Sequence, residues 1–203
     1  MADIPLGGAP PETVLPGPGP GASAAFVTAQ LIGPFPPGTD PVGYDRLRRR
    51  ALWRMPSGIY LLGTAFGNRR NLMTHNWAMQ VATRPKLLAV AVRNDALSHK
   101  LLSSGRVFSL CFLKRQDRAL ARTFIKPAVE GPGPGMLGGY EVREGSTGAP
   151  VLVCSAAWLE CEVRDELVTG DHTLFVGEVV DCSAPDEEAP VLRVEDTRLN
   201  YGG

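Results

Sequence analysis

The stretch "GDHTLFVGEVV" (170–180) sets a glycine, an acid and a base, Gly170, Asp171 and His172, at what reads as the start of a strand. His172 there can donate to a ligand or stack on it. A second group lies in "RNDALSHK" (93–100), a strand end followed by a helix start. It offers unpaired backbone N–H groups, the Ser98 hydroxyl, and Arg93 and Lys100 as counter-charges, which is the chemistry that holds a phosphate monoester. The third group is "NLMTHNWAMQV" (71–81), read with a period of two. Met73, His75, Trp77, Met79 and Val81 suit a buried sheet face. Leu72, Thr74, Asn76, Ala78 and Gln80 give the other face, short and hydrogen-bonding, with room for a flat ligand. Together the three groups point to a site for an anionic, partly apolar ligand. Each also has a plainer explanation: cross-strand pairing of Thr74 and Asn76, a surface helix for Ser98 and Lys100, a simple turn for "GDH". Residue types alone stop at a β-barrel with a phosphate-ligand site.

Other chemistries find less support. "GPGPG" (131–135) is glycine-rich, but its prolines remove the N–H groups that a phosphate cradle needs, and no strand and helix flank it. A nucleophilic hydrolase would need Ser, His and an acid converging. No G-x-S-x-G elbow exists, and Asp171 and His172, as strand neighbours, would point to opposite faces. His75, His99 and His172 show no metal-ligand spacing with Cys111, Cys154, Cys161 and Cys182, so no metal is expected. The cysteines read as reduced, buried thiols. Lys plus Arg equals Asp plus Glu, 21 each, so charge points neither to nucleic acid nor to an anionic membrane. "RLRRR" (46–50) reads as a solvated helix face. With no apolar run long enough to span a bilayer and no secretory leader, a cytoplasmic location is the expectation.

Residues 1–38 hold half of the chain's 18 prolines and few large apolar residues, which reads as a flexible or surface-draped tail. Within it "AAFVTAQLIG" (24–33) could form an edge strand or pack on a partner. Asp40 caps a helix with Pro41 in its first turn, and Tyr44, Leu47, Ala51 and Leu52 form its apolar stripe. Strands are expected at 58–66, 71–81 and 87–92. A helix over 94–105 is capped by Asn94 or Asp95 and stopped by Gly105. A strand at 106–113 and a short helix at 115–124 follow. Residues 126–150 read as a long irregular loop, and three strands finish the chain at 151–165, 172–182 and 190–199. Strands outnumber helices and connections are short, so the fold class is mainly β, a barrel with a few peripheral helices.

The ordered combination resembles the flavin reductase-like family of FMN-binding split barrels, including its flavoredoxin-type members. The segment from "MPSGIYLLGTAF" through "NLMTHNWAMQVATRPKLLAVAVRNDALSHK" is similar to that family's opening, with a P-x-G strand start, an N-x-M-T-x-x-W strand and a Ser-containing helix start. "GDH…GEV" resembles its closing half, and "LRVEDTRLNYGG" its ending. The likeness covers nearly everything from residue 40 onward, so residues 39–203 are expected to be one split-barrel domain of Greek-key type.

The resemblance implies FMN, or FAD, along the second strand and the following loop. Met73, Thr74, His75, Asn76 and Trp77 would lie at the isoalloxazine, Ala91 and Arg93 at the ring or ribityl chain, and Ser98, His99 and Lys100 at the phosphate. Asp171 and His172 would sit at the flavin face where NADH or NADPH arrives. A homodimer is implied, with Tyr201 at a neighbour's site, and so is a partner monooxygenase receiving reduced flavin. The alternative is a non-enzymatic FMN-binding electron carrier or flavin-holding module. "IKPAVEGPGPGMLGG" (125–139) favours that alternative, since many members carry a "DRF"-like segment there.

Overall fold

The computed structural model describes residues 31–131 and 135–197. Most of the proline-rich segment, the middle of "GPGPG" and Tyr201 lie outside the described residues. Two compact units are distinguished, one ending at Asp45 and one from Arg46 onward. Helix α1 (Pro41–Leu52) begins as expected: Asp40 Oδ1 and Oδ2 accept from Val42 N and Gly43 N at 3.2 and 2.8 Å. Its stripe is not buried, for Leu47 and Leu52 are exposed.

The second unit is a seven-stranded antiparallel sheet built from β1 (Tyr60–Phe66), β2 (Arg69–His75), β3 (Ala78–Thr83), β4 (Lys86–Arg93), β5 (Val107–Phe112), β9 (Ala157–Thr169) and β10 (His172–Ser183). Their order is β2-β1-β5-β9-β10-β4-β3. β2 and β3 are consecutive in the chain yet occupy opposite edges, so the sheet curls into a split barrel whose seam runs through Asn76 and Trp77. Expecting one strand over 71–81 was therefore wrong in a specific way. β2 pairs with β1, the chain breaks at Asn76–Trp77, and β3 pairs with β4. His75 Nε2 bonds Trp77 O at 3.0 Å and Ala91 N donates to the same oxygen at 3.0 Å, which fixes the break against β4.

Both faces of the sheet are covered, so β1 reads as a continuous apolar run with Leu61 and Leu62 both buried. One core layer holds Leu62, Val90, Val92, Leu102, Phe108 and Phe175. The other holds Leu61, Leu72, Cys111, Leu120, Phe124 and Leu152. The second layer includes the short helix α3 (Arg118–Thr123) and a small sheet of β6 (Met136–Leu137), β7 (Tyr140–Glu144) and β8 (Pro150–Leu152). That sheet lies where an irregular loop was expected. Only Val142 of β7 is buried, too little alternation to announce a strand, while Gly138 and Gly139, at φ +59° and +84°, make its turn. The expected last strand is instead two isolated bridges and a 3-10 turn (Val194–Asp196), where Arg193 N donates to Asp196 Oδ2 at 3.1 Å. Among the cysteines, Cys111 and Cys161 are buried and free, but Cys154 and Cys182 are exposed. Cys154 lies in the turn after β8 and Cys182 near the end of β10.

Helix α2 (Leu97–Gly105) lies against β1 and β2. Ala96, not Asn94 or Asp95, stands at its N-cap, and no side chain caps it. Asp95 is drawn away by Arg93, whose Nε donates to it at 2.7 Å. The left-handed residue at the C-terminus is Arg106, at φ +56°, not Gly105. Gly105 has another duty: a Cβ there would lie 1.9 Å from Ala65 O of β1.

Candidate active site

The β9–β10 hairpin closes through Gly170 and Asp171, with Gly170 at φ +58°. Asp171 therefore lies in the turn rather than on the strand, and its carboxylate folds back onto its neighbour. His172 Nδ1 is 2.7 Å from Asp171 Oδ1, so the pair that strand geometry argued against does form. Asp171 is exposed while His172 is buried, with Trp77 packed against its ring at 4.6 Å between centroids. The hydrogen bond from His172 holds the Asp171 carboxyl below the usual carboxylate range. An ionised Asp171 accepts only, so Nδ1 carries the proton; in the neutral ring Nε2 is then a bare acceptor. Nε2 is buried and has no hydrogen-bond partner among the described residues.

Arg93, Asp95, His75 and His172 are neighbours around this point: Arg93 pairs with Asp95 through two nitrogens and stands opposite His172 in the β4–β10 register, and His75 bonds the carbonyl of Trp77, whose ring packs on His172. His75 is buried and desolvation pulls its pKa down to about 4. The unfolded chain, at about 6.5, thus binds a proton that the folded chain refuses. Stability is full above that value and is lost as pH falls toward 4. We expect about 2 kcal/mol lost between pH 7 and 5 by denaturant titration, and His75→Gln, which keeps a donor for Trp77 O, to flatten most of that slope.

The α2 end is arranged differently from expectation. Ser98 is fully buried, and its Oγ accepts from Asn71 Nδ2 at 2.9 Å, while Asn71 Oδ1 accepts from Ala128 N at 2.8 Å. Its hydroxyl is turned inward, leaving the uncapped N–H groups of the first turn and the exposed Lys100 as the groups facing outward. Lys100 makes no ion pair among the described residues. His99 Nε2 meets Thr173 Oγ1 at 2.9 Å. Thr74 stands apart, for its Oγ1 donates to Ala121 O at 2.7 Å and its N to Phe124 O at 2.9 Å. Met73 packs on the barrel core, and Asn76 is half-buried with no hydrogen bond to the described residues. The structure thus brings His75, Trp77, Ala91, Arg93, Asp171 and His172 together, places His99 and Lys100 on the adjoining helix, and turns Thr74 and Ser98 to structural partners. Asn71 and Thr173 were not singled out in the sequence, and Asn94 only as a helix cap. A buried asparagine within a strand is disfavoured unless its amide is used, and that was the available signal for Asn71.

A model of the flavin reductase like domain matches residues 52–201. The chain belongs to that family. A relative from Streptomyces globisporus named NADH-dependent FAD reductase is 30% identical over 138 residues, covering 67% of this chain and 75% of its own. The solved NADH:FAD oxidoreductase SgcE6 of Streptomyces globisporus C-1027 superposes at TM-score 0.66 with 26% identity, over 81% of this chain and 96% of that one; it has also been solved with NAD and FAD fragments. The styrene monooxygenase flavin reductase of Pseudomonas putida S12 matches at TM-score 0.61 and 27% identity, over 71% and 90% of the two chains. The chain spans about a quarter of the length of the diflavin flavoproteins it also matches, which are 29% identical. This flavin reductase like domain contains, among its described residues, no helix long and apolar enough to cross a membrane and no cluster of three or more metal-ligating side chains.

The residues of the site suit a flavin. An indole at the barrel seam and an uncapped helix start with a lysine that makes no ion pair among the described residues answer, in turn, to a flat ring system and a phosphate.

Proposed function

We propose that this chain is a flavin reductase: it binds FMN or FAD, takes reducing equivalents from NADH or NADPH, and supplies reduced flavin to a partner monooxygenase. The observation that carries this reading is His172, buried, oriented by Asp171, and left with one unsatisfied nitrogen beside Trp77. The chemistry that bound flavin supplies is acceptance of a hydride; the protein supplies orientation and electrostatics. Trp77 and Ala91, joined through the Trp77 carbonyl, would border the ring system, with Met73 and Asn76 beside the seam. The first-turn N–H groups of α2 and Lys100 would hold the phosphate, with His99 next to them. In its neutral form His172 Nε2 would accept from the carboxamide N–H of a nicotinamide, while Asp171 keeps the ring from rotating. His75, neutral above pH about 4, adds no charge next to His172. The exposed Met79 and Val81 on edge strand β3 support a homodimer.

The phosphate end has its own test. Lys100→Ala should weaken FMN binding about tenfold by fluorescence quenching, because a charge-assisted contact is lost. An unchanged dissociation constant would move the phosphate elsewhere. The second reading, an FMN carrier that takes no hydride from a dinucleotide, rests on the 125–139 segment. Two of its described residues are held to β2, Glu130 by Arg70 at 3.0 Å and Ala128 by Asn71.

A further inference from the structure

Asn94 follows the last residue of β4, and its backbone N–H and both polar atoms of its side chain are each engaged. Its backbone N donates to Asp171 O at 2.9 Å and its Nδ2 to Gly170 O at 3.1 Å. Its Oδ1 accepts from Thr173 Oγ1 at 2.8 Å. The amide cannot be turned over, because Oδ1 would then face the Gly170 carbonyl, acceptor to acceptor. With the Thr173 proton spent on Asn94, His99 Nε2 must be the donor to Thr173 Oγ1. One chain of hydrogen bonds thus runs in a single direction from His99 on the first turn of α2, through Thr173, to Asn94 and the Gly170–Asp171 turn. Thr173 is buried, on the inward face of β10, as is Phe175, against which the His99 ring packs edge-on at 5.4 Å. His172, one residue earlier, points to the other face.

We propose that Asn94, backed by Thr173 and His99, is the positioning residue for the Asp171–His172 pair and ties that pair to the helix start at the phosphate end. Asn94 holds both carbonyls of the two-residue turn. Those two peptides decide where the Asp171 carboxylate stands and hence how the His172 ring is held. Asn94 touches neither ligand in this arrangement; it acts through Asp171 and His172. The kinetic consequence rests on the reading of His172 as the residue that meets the nicotinamide, whereas the positioning itself does not.

Histidine side-chain nitrogen NMR on the flavin-free protein tests the positioning directly. The wild type should show His99 protonated at Nε2 and His172 at Nδ1, with a slowly exchanging Nδ1 proton. In Asn94→Ala that proton should exchange at least tenfold faster. Thr173→Val, which keeps the shape and removes the hydroxyl, should abolish the fixed His99 tautomer and speed the His172 exchange severalfold, and Thr173→Ser should restore both. In kinetics, Asn94→Ala and Thr173→Val should raise KM for NADH about tenfold with flavin affinity within twofold. Unchanged His172 exchange in folded Asn94→Ala overturns the proposal, as does equal impairment by Thr173→Val and Thr173→Ser, which would reduce the network to packing. If Asn94→Ala does not fold, the Thr173 pair decides. A wild type that no dinucleotide reduces would sink the reductase reading, while the NMR result would still decide the positioning.

Discussion

His172→Ala is expected to bind flavin as the wild type does and to be reduced by NADH or NADPH about a hundredfold more slowly. The site offers two separable parts, and this substitution touches one. The α2 helix start and Lys100 remain, so the phosphate keeps its N–H groups and its charge. What disappears is a ring held in place on two sides, by Asp171 at Nδ1 and by Trp77 across its face. Loss of a fixed orienting contact at a reacting centre costs on the order of a hundredfold when the reactants are left about an ångström out of place. Little folding stability should go with it, since the abandoned Asp171 is exposed and rehydrates freely. Stopped-flow reduction against a flavin-binding titration separates the two effects. Loss of flavin binding with the reduction rate preserved in the residual holoprotein would make His172 a flavin ligand instead.

Gly105→Ala should be the most damaging single change to the fold. The added carbon would lie 1.9 Å from Ala65 O and 3.1 Å from Ala65 C, both backbone atoms of β1 that no rotamer change can move. Helix α2 or strand β1 must shift, and overpacking of this kind costs about 3 kcal/mol. Because α2 also presents the first-turn N–H groups and Lys100, FMN affinity should fall with stability. A denaturation midpoint within experimental error of the wild type would show that α2 can slide without loss. Gly63 makes the same demand, its added carbon falling 2.2 Å from Pro150 O and from Ser109 Oγ. Gly105 was marked in the sequence as a helix stop, since glycine after a helical pattern commonly supplies the left-handed cap. Arg106 takes that conformation here and donates its N–H to Leu102 O at 2.9 Å, so the glycine is required by approach and not by φ.

What the sequence made legible follows from how local each cause is. Asp40 and Pro41 act within one turn, so the start of α1 came out as expected. The barrel strands announced themselves through apolar runs bounded by turn residues: β4 and β5 fall within a residue of where they were read. The break at Asn76–Trp77 left no local mark. Alternation of residue type continues straight through it, from Met73 to Val81, while the partner changes from β1 to β4, and a change of partner is a tertiary event. Asp171 shows the same limit in reverse. Strand periodicity set it opposite His172, but the two-residue hairpin ended the strand one position earlier and turned the carboxylate back. For the site, "GDH" and "RNDALSHK" drew attention to the right two places. What those residues do there was only partly readable, because Ser98 and Thr74 find buried partners in Asn71 and Ala121 that lie 27 and 47 residues away. Asn94 looked like a helix cap for an equally local reason, and it is the distant Gly170 and Thr173 that claim it.

Anaerobic titration of the purified protein tests the reductase activity directly: flavin is added until its fluorescence is quenched, then NADH or NADPH is added and the flavin absorbance followed. A flavin reductase predicts saturable quenching followed by rapid bleaching with at least one dinucleotide. Saturable binding with no bleaching by either would contradict it and leave a flavin carrier.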